Sequence, residues 1–283
     1  MTDSGVGSTE PHKSGGRGSA GAGAGSIVRQ IADAVLYEGH MLFPYRPSAL
    51  KNQQRWTFGG VYPPTYAATT GDRSRVSFQC LVEGSDPQLD VEVRFLQILE
   101  REPCDEAVER TVGVGTIDLP PLEGRVESCT DEVRPGLHRL AVAIESTSPW
   151  SGTSRDEAMR HTFASAHAVA RVRDGAFVSA LEADEPLHNE GLWPVLVGEE
   201  GDRSTMLASP IILSDYPRVA PESPGDFFDG CEIDQLLVLS ILGLSDDEKR
   251  EIRAGDARAR AILERTEAMS EEELMRLHGT WRR

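Results

Sequence analysis

"RVSFQCLVEGSDPQLDVEVRF", Arg75 to Phe95, decides the fold. Val76, Phe78 and Cys80 alternate with polar residues. After the break at Gly84-Ser85-Asp86-Pro87 the alternation returns at Leu89, Val91, Val93 and Phe95. A period of two places every second side chain on one face of a strand, so the stretch predicts two half-buried strands separated by a turn-rich gap. Further out, Val112, Val114 and Ile117 make a weaker run, and Leu140, Val142 and Ile144 a cleaner one. Ala164, Ala166, Ala168 and Ala170 alternate with Phe163, Ser165, His167 and Val169; the alanine face leaves room for another layer to approach closely. Asp174-Gly175 lies between two strand-like runs in "VARVRDGAFVSAL" (169–181), which predicts a two-residue hairpin with φ > 0 at both central positions. "LWPVLV" (192–197) and "TMLASPIIL" (205–213) supply one or two more strands.

The reading is therefore mainly β with α. Seven or eight strands fall between about 75 and 213 with no helix among them, which predicts a mostly antiparallel β-sandwich flanked by an N-terminal helix and a C-terminal helical segment. Residues 1–25 are mostly Gly, Ser, Ala and Thr with few large apolar side chains; they bury too little to offset the entropy of ordering and read as a disordered tail. "SIVRQIADAVLYE" (26–38) carries Ile27, Ile31 and Val35 on one stripe, with Ser26 as N-cap and Gly39 after its end. Residues 26–74 then hold this helix and an irregular stretch broken by prolines and glycines. Residues 214–283 hold a proline-rich acidic loop and three short helices, including "EIDQLLVLSILGL" (232–244) and two S-x-x-E capping boxes, Ser245 with Glu248 and Ser270 with Glu273.

The chain has 283 residues and a net charge of −17, unevenly spread: residues 26–75 carry +3 and residues 76–150 carry −9. An acidic body of this kind disfavours nonspecific binding to nucleic acid or to an anionic membrane. No apolar run is long enough to span a bilayer, and the N-terminus lacks the apolar core of a signal peptide. Cys80, Cys104, Cys129 and Cys231 stand far apart, which argues against a zinc ribbon or a disulfide framework. Reduced thiols and a cytoplasmic location follow as expectations.

The positive island is "LYEGHMLFPYRPSALKNQQRWTFGGVYPP" (36–64). Tyr45, Trp56, Phe58 and Tyr62 surround Arg46, Lys51 and Arg55, and His40 is its one histidine. Aromatic rings interleaved with bases suit an anionic protein surface or a stacked base. The plainer reading of the same residues is an anchor, with rings packed on the sandwich and bases paired to the acidic body. On the first reading Tyr45, Arg46, Lys51, Arg55, Trp56 and Tyr62 bind a partner. A second string, "SPIILSDYPRVAPESPGDFFDGCEID" (209–234), holds Asp215, Glu222, Asp226, Asp229, Glu232 and Asp234. Oxygen-rich loops can hold a hard cation, so Asp226, Asp229 and Glu232 are metal candidates, although the spacing is not that of an EF-hand. Capping and loop-fixing is the plainer use of these acids. If the two strings meet, Arg46, Lys51 or Arg55 pairs with Asp226, Asp229 or Glu232. His161 and His167, six residues apart on one expected strand, would lie about 20 Å apart, too far to share a metal. The chain carries no G-x-S-x-G, H-E-x-x-H or P-loop.

The two strings together resemble an uncharacterised actinobacterial protein family encoded beside the structural genes of high-affinity uptake NiFe-hydrogenases. The resemblance covers roughly residues 31–66 and 207–250, and the sandwich between them more loosely. It implies a hydrogenase-associated role in assembly, stability or regulation, with hydrogenase subunits as protein partners, and it transfers no catalytic residue and no cofactor. The residues themselves leave two functions open: a noncatalytic accessory or scaffold protein, and a metal-assisted hydrolase using carboxylates of 215–234.

Overall fold

The computed structural model describes residues 20–38, 42–46, 48, 49, 52, 58–101, 105–218, 234–270, 272 and 273, with backbone only for 20–26, 234 and 235. Among these residues ten strands form two five-stranded sheets. The strands are β1 (Arg75–Glu83), β2 (Gln88–Leu99), β3 (Glu106–Val112), β4 (Gly115–Leu119) and β5 (Leu122–Arg134), followed by β6 (Leu137–Ser146), β7 (Ala164–Arg173), β8 (Ala176–Phe177), β9 (Trp193–Leu196) and β10 (Thr205–Ser209). The first sheet runs β4-β5-β6-β1-β8 and the second β3-β2-β7-β10-β9, and every strand pairs antiparallel. Six helices are described: α1 (Ala20–Tyr37), α2 (Pro64–Thr70), α3 (Arg155–Arg160), α4 (Asp234–Leu242), α5 (Asp246–Ala254) and α6 (Ala257–Glu267).

The alternating residues form the sandwich core. Val76, Phe78 and Cys80 of β1 and Leu140, Val142 and Ile144 of β6 meet Val91, Val93 and Phe95 of β2. Ala166, Ala168 and Ala170 of β7 close the layer, their small side chains admitting the bulkier ring of Phe78 and its neighbours from the other sheet. The outer face of the second sheet is covered twice. Val28, Ile31, Ala32 and Val35 of α1 pack on Val169, Val195 and Leu207. The helices α2 to α6 gather on Leu96, Ile98 and Ala164 at the other end. Ser245 caps α5 through the expected reciprocal bonds with Glu248, and Ser270 and Glu273 make the same pair.

Among the described residues the structure has ten strands where seven or eight are expected and a helix, α2, within the stretch read as irregular, and further details differ from the sequence reading. α1 starts at Ala20, so Ser26 is interior to it and residues 20–25 are helix rather than tail; once a helix is nucleated and packed, extension costs little. α3 interrupts the expected helix-free region. Its signal was present: Ser154-x-x-Glu157 has the capping-box pattern, and Ser154 Oγ accepts from the Glu157 N–H at 3.4 Å. His161 consequently ends α3 instead of lying on a strand, and stacks on Trp150 at 5.4 Å.

Asp174-Gly175 is not a hairpin within one sheet. Asp174 has φ 58°, but β8 beyond the turn pairs with β1, so the chain changes sheets there. The alternation along β7 also breaks at a bulge. Ser165 and Ala166 together oppose Phe95, with Ser165 at φ 53°. The extra residue returns Phe163 to the core face, where it meets Phe95 at 4.9 Å, and turns Ala164 outward under the helices. Gly124 on β5 makes room for that ring: a Cβ there would lie 2.7 Å from Phe163 and 2.4 Å from the Glu145 carbonyl oxygen.

Candidate functional site

The aromatic-basic string is used mostly internally where the structure describes it, although Phe58 is 48% exposed. Tyr45 and Tyr62 are buried. Tyr62 stacks on Tyr66 at 5.5 Å and its hydroxyl donates to Met159 Sδ at 3.6 Å; burial pushes its phenol up. Tyr45 meets Phe43 edge to face. Arg46 reaches Glu248 at 3.1 Å and Glu251 at 3.8 Å on α5, and the Ser48 N–H donates to Glu251 at 2.9 Å. The base thus finds its acids on the capped helix, beyond the proline-rich loop. Lys51, Arg55, Trp56 and His40 lie outside the described residues, as do the metal candidates Asp226, Asp229 and Glu232. Asp215 fastens a loop, accepting from Ser179 Oγ at 2.5 Å and from the Leu196 N–H at 2.9 Å. Among the described residues no group of three His, Cys, Asp or Glu is placed to hold a metal ion.

A buried polar clamp joins α1 to the second sheet. Arg94 on β2 pairs with Asp33 of α1 and with Glu109 of β3. Burial alone would lower its pKa, and the hydrogen bonds to the two carboxylates outweigh that and raise it. Arg258 of α6 lies 3.7 Å from Glu109 and stacks 3.7 Å over the ring of Tyr37. Across from Arg94 on β7 is His167, fully buried. Its Nδ1 lies 3.0 Å from the Ser165 carbonyl oxygen, which can only accept, so Nδ1 carries the proton and Nε2 is a bare, unpartnered acceptor. Burial pulls this imidazole down to about 4, the Ser165 bond opposes that, and Arg94 adds to it. The sequence could not reveal the cluster, because its members sit on five elements, α1, β2, β3, β7 and α6, spread from residue 33 to residue 258.

The exposed feature of the molecule lies on the other sheet. On the outer face of β5-β6-β1 two cross-strand rows run Glu127–Ala143–Ser77 and Cys129–Ala141–Gln79. The alanines are short, so β6 forms the floor of a groove of about 640 Å³ between β5 and β1, with Val114 and His188 at its rim. Val114 is 54% exposed. The edge of β1 is closed by the segment 178–191: Val178 N–H donates to Leu81, and Ser77 exchanges hydrogen bonds with Glu190.

The edge of β5 is open. β4 pairs with β5 only as far as Gly115 opposite Val126, while β5 continues along β6 to Arg134. Residues 127 to 132 are all exposed, and among the described residues no strand lies on their outer side. Sequence reading missed β5 because only Leu122 and Val126 mark its apolar period; beyond them both faces are wet and polar. The residual signal was the following strand, Leu137 to Ser146, which needs a partner at turn distance. No protein-family model and no curated protein matches this chain.

Proposed function

We propose that this chain is a noncatalytic accessory or scaffold protein, acting in the cytoplasm through protein–protein contacts to assist assembly, stability or regulation of a NiFe-hydrogenase. The observation that carries the contact role is the alanine-floored groove beside the open edge of β5, a concave face with an apolar base and a rim that is polar apart from Val114. The hydrogenase as partner rests on the resemblance of the two strings. The aromatic-basic string then serves as architecture: Tyr45 and Tyr62 fill the helical cluster and Arg46 ties the string to α5.

Retention of a purified actinobacterial uptake NiFe-hydrogenase on the immobilised protein tests this. Ala141→Trp fills the groove from an outward position and should reduce retention at least tenfold with the melting temperature unchanged. No retention by the unaltered protein, or retention indifferent to Ala141→Trp, overturns the reading. Stoichiometric divalent metal in the purified protein would favour the hydrolase instead.

A further inference from the structure

We propose, building on the reading of this face as a docking surface, that the open edge of β5 takes up a basic extended segment of another protein as an added strand. A strand edge presents unpaired backbone donors and acceptors, and an extended peptide completes them while its alternate side chains read the flanking rows. The edge of β1 differs, being closed by the 178–191 segment, and β5 itself is covered by β4 only from Leu122 to Val126.

The charge of the edge selects the occupant. Residues 127–132 read Glu-Ser-Cys-Thr-Asp-Glu, three acids and no base; Arg125 just before them pairs with Glu127 at 3.2 Å and leaves the stretch net acidic. A second copy pairing antiparallel about Cys129 would set Glu127 against Asp131, like charges directly opposite, which destabilises a ladder. Self-association is thereby disfavoured and a basic strand favoured.

The alternation also specifies the order of residues. Cys129 shares a row with outward Ala141, so Glu127, Cys129 and Asp131 face the groove side, while Ser128, Thr130 and Glu132 face the other way. The matching segment carries a base, a small apolar residue and a base at i, i+2 and i+4, with polar β-formers between them. Lys-Thr-Val-Thr-Lys satisfies this in either strand direction, with valine opposite Cys129 and the lysines opposite Glu127 and Asp131. Exposed charges of this kind are screened by salt, whereas the backbone ladder is not.

The test titrates the full chain with the peptide Thr-Lys-Thr-Val-Thr-Lys-Thr, followed by calorimetry and by amide shifts. Three comparisons accompany it: the same peptide N-methylated at alternate residues in either phase, a peptide with both lysines replaced by glutamate, and the double variant Glu127→Lys with Asp131→Lys. Saturable binding with shifts centred on residues 127–132 is expected. It should weaken at least tenfold with one phase of N-methylation and in the charge-reversed variant, which should prefer the glutamate peptide. Absence of binding, shifts centred on another edge, or equal binding of both N-methylated peptides overturns the proposal; equal binding would mean diffuse charge attraction. The hydrogenase is absent from this assay. A failed titration beside successful hydrogenase retention defeats the strand proposal alone, and the reverse pattern defeats the hydrogenase assignment alone.

Discussion

His167 should make the fold acid-sensitive through a single side chain. In the folded protein its pKa is near 4, against about 6.5 for an unfolded histidine, so the fold favours the neutral ring. The sign follows: above pH 6.5 both states are neutral and stability is unaffected. As pH falls below 6.5 the unfolded chain takes up a proton that the folded chain refuses, and stability is lost until the folded pKa is reached. Across that window the loss is about 3 kcal/mol by pH 4, at ~1.36 kcal/mol per unit of pKa difference. The ring resists its second proton chiefly because it is fully buried, and Arg94, which faces it from β2, adds to that; the Ser165 carbonyl and Asp33 oppose it. Urea unfolding at pH 7, 6, 5 and 4 measures the slope. Other carboxylates contribute to it, so the informative quantity is the difference between the parent protein and His167→Gln. The variant should be less stable at pH 7 and lose about 3 kcal/mol less than the parent between pH 7 and pH 4. Parallel pH profiles for the two proteins would refute the buried neutral tautomer.

Three further outcomes are expected. Arg94→Met removes the buried guanidinium between Asp33 and Glu109 but leaves Arg29 3.7 Å from the first and Arg258 3.7 Å from the second, and both carboxylates reach solvent, so it should cost about 1–2 kcal/mol in a urea titration; no measurable loss would show the clamp to be ornamental. Gly124→Ala forces a methyl group into the Phe163 ring and the Glu145 carbonyl and should cost about 1–3 kcal/mol, read as a lowered melting temperature. Cys129 is exposed and should label rapidly with a thiol reagent in the native state, whereas Cys80, whose thiol burial pushes up to about 12, should label only on unfolding; peptide mapping by mass spectrometry distinguishes them.

Much of the architecture was legible because it follows from local periodicity. The alternation of β1, β2, β6 and β7 placed the right residues in the core, and the Ser245–Glu248 box marked α5 correctly. What was not legible depends on long-range events. The bulge at Ser165 reverses the facing of Phe163 and Ala164, and nothing in "TFASAHAVA" records which residue is extra. Asp174-Gly175 looks like a hairpin turn in isolation, yet the strand that receives Ala176 and Phe177 is β1, some ninety residues earlier. The candidate site was the least legible part. β5 pairs through its backbone and exposes polar side chains on both faces, so hydrophobic patterning is blind to it. The aromatic-basic string draws attention by composition; Tyr45 and Tyr62 serve packing and Arg46 an ion pair to α5, while Phe58 stays exposed.

The strand order has a consequence for synthesis. Val76 pairs with Ile144 and Leu89 with Val172, so neither β1 nor β2 meets its central partner until roughly 70–80 further residues have been made. At ~5–20 residues per second the ribosome holds these apolar strands without their partners for about 4–16 s. The meander β4-β5-β6 and the β2-β3 pair can close sooner, because their partners are near neighbours in the chain. A nascent chain of this protein therefore spends several seconds with β1 unpaired and β2 paired on its β3 edge alone, and its yield in a cell should depend on chaperones that shield these apolar strands during elongation.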